Sequence, residues 1–212
     1  MTAGLSRAGA RARPPQTRGK RVTLRPVTPA DYDYLGHLSS TPSMTFRWRT
    51  RGHTPSPEDF QSMLWSGVLC QFIIERTGDG EPMGLITAYN ADLRNGTCYL
   101  AMIVQDRPGA SLGSLDALAL FLNYLFVNWN FRKVYAETSE LSSWTFAGGA
   151  GRYYRVEGTL PEHEYYDGRY WDCYVLAFWR RDWGPLLAEL LPAVLFDRSS
   201  ESPVDGQVRA AP

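Results

Sequence analysis

Lysine is almost missing from this chain. Of its 22 basic residues only Lys20 and Lys133 are lysines, a bias that marks a GC-rich genome rather than a mechanism. Net charge is missing too: 22 basic residues face 22 acidic ones, so the basic footprint of a dedicated nucleic-acid binder is absent. No apolar run approaches the roughly 18 residues of a spanning helix, so no membrane partner is expected. The N-terminus carries arginines without the apolar stretch of about 7–15 residues that makes a secretory signal, so none is expected. Cysteine is scarce. Cys70, Cys98 and Cys173 form no CxxC pair, which argues against a zinc site or a disulfide framework. His37, His53 and His163 are scattered without ligand spacing, so no metal is expected. These absences together read as a cytoplasmic protein.

What remains is the material of a globular domain. Hydrophobic residues make up 44% and charged residues 21% of 212, enough for a core and too apolar for global disorder. Residues 1–20 hold five basic side chains, the pair Pro14-Pro15 and four alanines, with no apolar period, and read as a flexible basic arm. Residues 197–212 are rich in Ser, Glu, Pro and Gly and read as a flexible tail. The folded domain is expected over residues 21–196. The alternating basic and aromatic run 46–51 (FRWRTR) reads as a solvated, partly packed loop.

Within that domain the hydrophobic period changes several times. Residues 21–27 (RVTLRPV) alternate as a strand does. Thr28-Pro29-Ala30-Asp31 is a helix start, and the helix is expected to reach about Leu38. Residues 57–65 read as a second helix capped by Ser56. Residues 68–75, 83–89 and 97–104 read as strands joined by the turns TGDG and RNG. From Leu112 to Trp129 the apolar spacing becomes 3.6, an amphipathic helix of four to five turns by its length. Residues 133–138 form a strand, 142–149 at best a helix, and 155–164 and 169–180 two strands joined at Asp167-Gly168, a strong hairpin signal. Antiparallel strands, one long helix and further strands make an α+β fold with a mixed sheet.

Three stretches in this order resemble the GNAT N-acetyltransferases, and among them the Rim-type branch of ribosomal-protein N-terminal acetyltransferases. Residues 22–31 (VTLRPVTPAD) look like that branch's opening strand. Residues 132–138 (RKVYAET) look like its fifth strand. Residues 157–160 (EGTL), followed by 167–172 (DGRYWD) and 181–183 (RDW), look like its closing hairpin. The resemblance implies a GNAT fold: a twisted, mostly antiparallel mixed sheet of about seven strands with about four helices. It also implies acetyl-CoA as cofactor and an amine-bearing acceptor, either a small molecule or a protein N-terminus. The protein would act as a monomer or homodimer.

In the family a Gly-rich turn before the long helix binds the CoA pyrophosphate. Backbone N–H groups of a turn and of a helix N-terminus make an anion site, and glycine admits the phosphates closely. The matching segment here runs from Gln105 to Ser114 and departs from the family pattern, with Pro108 contributing no N–H. The resemblance assigns cofactor binding to Ile103, Val104, Gln105, Arg107, Gly109, Ala110, Ser111, Leu112, Gly113 and Ser114, and, after the fifth strand, to Ser142 and Thr145.

Acetyl transfer to an amine needs a base for the amine proton and a donor for the leaving thiolate. Rim-type enzymes carry a fifth-strand Glu five residues before an Asn. Ser142 takes the Asn position, so the resemblance names Glu137 as base. Read alone, Glu137 is equally a surface carboxylate paired with an arginine. The family's acid is a Tyr seven residues after the Asn, where this chain has Gly149. Tyr154, with Tyr153 beside it, is the nearest replacement, although its position also suits a core ring. Tyr99 takes a fourth-strand position that is acidic in many relatives. The leading expectation is an acetyl-CoA-dependent N-acetyltransferase acting on a primary amine. The alternative is a GNAT-fold protein with lost or altered acyl transfer: a binding module, or an acyltransferase using another acyl-CoA or a carrier-protein thioester.

Overall fold

The computed structural model of the chain describes residues 17–48, 51–105, 110–145 and 150–195. In chain order it contains β1 (Val22–Pro26), a 3-10 turn (Pro29–Asp31), α1 (Tyr32–Ser40), α2 (Pro42–Thr45), α3 (Pro57–Trp65), β2 (Val68–Arg76), β3 (Pro82–Asp92), β4 (Thr97–Val104) and α4 (Ala110–Asn128). It continues with β5 (Lys133–Ser139), a second 3-10 turn (Glu140–Thr145), β6 (Arg155–Tyr166), β7 (Arg169–Trp179) and α5 (Arg180–Val194). Local chemistry accounts for most boundaries. Ser56 caps α3 by accepting the Asp59 N–H at 3.2 Å. Asp167 and Gly168 join β6 to β7 with φ of +51° and +78°, the paired positive φ of a two-residue hairpin turn.

The seven strands form one mixed sheet in the order β1-β2-β3-β4-β5-β7-β6. Only β4 and β5 run parallel; every other neighbouring pair is antiparallel. This is the α+β, mostly antiparallel architecture expected from the sequence. One face carries α4 and α5, whose Phe121, Leu125 and Trp183 pack with Ile74, Ile86, Val134 and Phe178. The other face carries α1 to α3, whose Leu35, Met44, Phe60 and Leu64 pack on Ile73 and Leu85. The second layer covers β1 to β3 and reaches β4 only at Ile103, so the same face of the rest of β4 and of β5 is left to the site described below.

Several features differ from expectation. Helix α5 follows β7 without a loop, although it holds Pro185 and Pro192. Helix α4 is not amphipathic: Ala117 to Leu122 are buried without a break, because α5 covers the side away from the sheet. The Arg180 side chain ends α4 in place of a glycine, donating to the carbonyls of Phe126, Trp129 and Phe131. The chain is also tied down before Arg21. The Lys20 N–H donates to the Val194 carbonyl at 2.7 Å, and the Gly19 carbonyl accepts the Thr77 hydroxyl at 2.8 Å. Residues 17–20 are thus strapped across β1 and the end of α5. The expected helix over 142–149 is a 3-10 turn as far as Thr145, and 146–149 lie outside the described residues.

Candidate active site

Strand β4 is paired with β3 along its length to Val104, and β5 with β7 as far as Ser139. Between them, however, β4 and β5 share only three register pairs: Thr97 with Lys133, Cys98 with Val134 and Tyr99 with Tyr135. Beyond Tyr99 and Tyr135 the strands part. The facing backbone groups of 100–104 and 136–139 then lack a ladder partner across the gap among the described residues. Peptide groups need a partner, and this wedge offers donors and acceptors along both edges to a chain-like ligand. Helix α4 starts at its open end.

Strand alternation sorts the side chains around the wedge. Val134, Ala136 and Thr138 are buried on the α4 face, which turns Tyr135, Glu137 and Ser139 to the opposite face. There Tyr89, Tyr99 and Tyr135 form a ladder of rings, with centroids 5.7 and 5.3 Å apart. Lys133 ends the ladder, its Nζ lying 4.5 Å from the Tyr135 ring and 4.6 Å from that of Trp179, and it pairs with Glu157 at 2.6 Å. Glu137 is exposed beside this ladder. Among the described residues it makes no side-chain hydrogen bond or ion pair, so the arginine partner that would make it a mere surface carboxylate is absent there. Its charge is felt by its neighbours. Burial raises the Tyr99 phenol, and the Glu137 carboxylate raises it further. Burial likewise pushes the Cys173 thiol up to about 11, with Glu164 and Glu137 adding to the shift. Tyr99 is therefore a protonated donor at neutral pH, and Cys173 is not a nucleophile.

The far wall comes from elements distant in sequence. Arg51, after α2, pairs with Glu164 of β6 at 3.2 Å, and the Phe46 ring lies tilted against that of Tyr166 with centroids 4.5 Å apart. A hollow of about 90 Å³ lies between Thr45, Phe46, Arg51, Ser139, Glu164 and Tyr166. Phe46 and Arg51 of the basic and aromatic run thus contact the β6–β7 hairpin, in keeping with the partly packed loop expected. The sequence shows Cys173 and the run 46–51 but not the contacts that bring them to this wall. Alternation along β7 was the available signal for Cys173, but the register that sets it opposite Ser139 is tertiary.

The expected cofactor residues divide. Ile103 and Val104 end β4 at the wedge, with Ile103 packed on the α1–α3 cluster and Val104 on the α4 cluster. The Gln105 N–H donates to the Met83 carbonyl at 2.9 Å, while its side-chain oxygen is buried without a partner. The Ser142 hydroxyl, across the wedge after β5, is also buried without a partner among the described residues. Ala110 and Ser111 open α4; Leu112 is exposed and Ser114 half-buried. Gly113 faces the sheet instead: a Cβ there would lie 3.3 Å from Val22, so its smallness serves helix–sheet packing. Arg107 and Gly109 lie outside the described residues, and Thr145 closes the second 3-10 turn. Of the expected catalytic residues, Glu137 and Tyr99 share one face. Tyr154 is not with them. It is 8% exposed in the α4–α5 core, 6.0 Å from Phe178, and burial raises its phenol. The two orphaned oxygens, the unpaired strand edges and the helix start fit a pantetheine arm with a pyrophosphate beyond it. No cluster of metal-ligating side chains occurs among the described residues, and no helix there is long and apolar enough to cross a membrane.

Residues 21–141 match the model of the acetyltransferase (GNAT) domain. No curated protein matches the sequence. Among solved structures, the chain is similar to a spermidine N-acetyltransferase from Vibrio cholerae in complex with CoA and spermine. The TM-score is 0.63 at 16% identity, over 77% of this chain and 98% of that one. It is similar to a GCN5-related N-acetyltransferase from Brucella melitensis, with TM-score 0.63 and 21% identity over 89% of this chain and 91% of that one. It is also similar to a ribosomal L7/L12 α-N-protein acetyltransferase in complex with CoA, with TM-score 0.63 and 14% identity over 75% and 94%.

Proposed function

The chain belongs to the GNAT acetyltransferase family, whose acyl donor is acetyl-CoA, and from that premise we propose that it acetylates a primary amine with Glu137 as general base. Acetyl-CoA supplies an activated acetyl thioester; the chain's residues supply position and proton transfer. The edges of β4 and β5 hold the pantetheine arm, with Gln105 and Ser142 completing their hydrogen bonding on it. The start of α4, from Ala110 to Ser114, holds the pyrophosphate. The acceptor amine reaches the wedge from the Tyr99–Glu137 face. An alkyl ammonium with a pKa near 10 is over 99% protonated at pH 7, roughly, so a carboxylate that accepts this proton raises the reactive fraction. Tyr99, kept protonated by burial and by Glu137, is the donor for the departing thiolate. Tyr154 sits on the wrong side of the sheet for that role.

The observation that carries this reading is the unpaired Glu137 carboxylate at the mouth of the β4–β5 gap. The acceptor is a primary amine, of a small molecule or of a protein N-terminus. The reading sets the protein in the cytoplasm, as a monomer or homodimer. Glu137→Gln tests it. CoA affinity by calorimetry should be unchanged, and turnover should fall about 10²–10⁴-fold, with the loss shrinking as pH approaches the amine pKa. Unchanged turnover would remove Glu137 from the mechanism. Saturable CoA binding with no turnover of any amine would favour a GNAT-fold binding module instead.

A further inference from the structure

A second concavity lies away from the β4–β5 gap, where β6, β7 and the start of α5 meet. Its volume is about 380 Å³, and Arg152, Tyr153, Arg155, Trp179, Arg181 and Asp182 line it. Ala177, also in the lining, stands opposite Tyr135 in the sheet, two residues from the position opposite Glu137. That is a step of about 7 Å along the strand. The cleft is therefore near the acyl-transfer face but not part of the gap.

Three arginines converge there against one carboxylate. Arg155 is spent on Asp182, at 2.7 Å, and that pair fixes the cleft's shape. Arg152 and Arg181 have weaker partners. Arg152 reaches Glu189 only at 3.6 Å, with both side chains more than 60% exposed, and Arg181 reaches Asp182 at 3.8 Å. Exposed pairs of this kind contribute little. Each of these two guanidiniums instead lies over a ring: Arg181 4.2 Å from Trp179 and Arg152 5.2 Å from Tyr153. The ring orders the guanidinium while leaving its N–H fork for another partner. A third source of positive potential is the α5 N-terminus. Trp179 caps it without any side-chain acceptor, and Arg181 and Asp182 form its first turn. Two forked donors and a helix start fit a phosphate, which accepts bidentate Arg contacts. The volume is several times that of a bare phosphate and within the range of small-ligand sites.

We propose that this cleft binds the phosphate end of a small phosphorylated molecule. The site stands on its own geometry and does not depend on acyl transfer. Inorganic pyrophosphate is the probe, titrated calorimetrically into the full chain presaturated with desulfo-CoA, which occupies the α4 end. Saturable binding is expected. Arg152→Gln and Arg181→Gln, both at exposed positions, should each weaken it about tenfold or more, whereas Glu137→Gln should leave it unchanged. Absence of saturable binding would overturn the proposal, as would binding that both arginine substitutions leave intact. Binding that appears only without desulfo-CoA would place the anion at α4 and also overturn it.

Discussion

Asp31 sits where β1 hands the chain to α1, and four donors converge on it. Arg25 gives two hydrogen bonds, at 3.0 and 2.8 Å, and Thr28 gives its N–H at 2.7 Å and its hydroxyl at 2.9 Å. The Arg25 guanidinium, opposed by burial and helped by Thr28, lowers the Asp31 carboxyl from 3.8 to about 2. A depressed carboxylate stabilises the fold above its unfolded pKa and loses that contribution as pH falls through the folded value. At 1.36 kcal/mol per unit, the contribution is about 2 kcal/mol. Asp31→Asn should therefore lower the unfolding free energy by about 2 kcal/mol at pH 7. In urea melts the gap between variant and wild type should close as pH drops from about 4 to 2. The sequence shows Asp31 as a helix-start residue, because capping is local; its bond to Arg25 depends on a strand end folding back. The same limit governs the residues proposed for catalysis. Glu137 is reachable by counting along one strand. Tyr154 fails because sequence position does not tell which side of the sheet a ring faces after a turn.

At the scale of elements, the β4 edge is held in place by a close approach from β3. A Cβ on Gly84 would lie 2.0 Å from the Ile103 carbonyl oxygen and 2.9 Å from the Val104 Cα, so any side chain must push the end of β4 away. Gly84→Ala should lower the unfolding free energy by about 2 kcal/mol, as overpacking does. Because the displaced residues border the gap, CoA affinity in calorimetry should fall as well, a loss that Glu137→Gln should not share. Elements with a clean local period were legible: α3 runs over the expected 57–65, and β4 over the expected 97–104. Helix α5 was not. Pro185 and Pro192 each remove a helical N–H, which argues against a helix, and the spacing of Leu186, Leu187, Leu190 and Leu191 was the only countersignal. Missing α5 also hides why Ala117 to Leu122 of α4 are buried without a break. The separation of β4 from β5 leaves no trace in either strand's composition, since each is fully paired on its other side.

For the whole molecule, the question is where the folding unit begins. Residues 17–20 join β1, the turn after β2 and the end of α5. The Leu24 N–H donates to the Thr17 carbonyl at 2.7 Å, the Gly19 N–H to the Val22 carbonyl at 2.8 Å, the Lys20 N–H to the Val194 carbonyl at 2.7 Å, and the Thr77 hydroxyl to the Gly19 carbonyl at 2.8 Å. At a net contribution near 1 kcal/mol each, discounted for exposure, the strap is worth about 3 kcal/mol. For a domain of this size 1 kcal/mol moves the Tm by roughly 2–4 °C. Residues 1–16 and 197–212 have no apolar period and so little to bury. Removing both should leave the calorimetric Tm within about 2 °C of the full chain. Extending the N-terminal deletion through Lys20 should lower it by about 10 °C, because α5 then loses its tie to β1. A drop of several degrees on removing 1–16 alone would mean that the basic arm packs on the domain or on a second copy. The folding unit would then begin before Thr17.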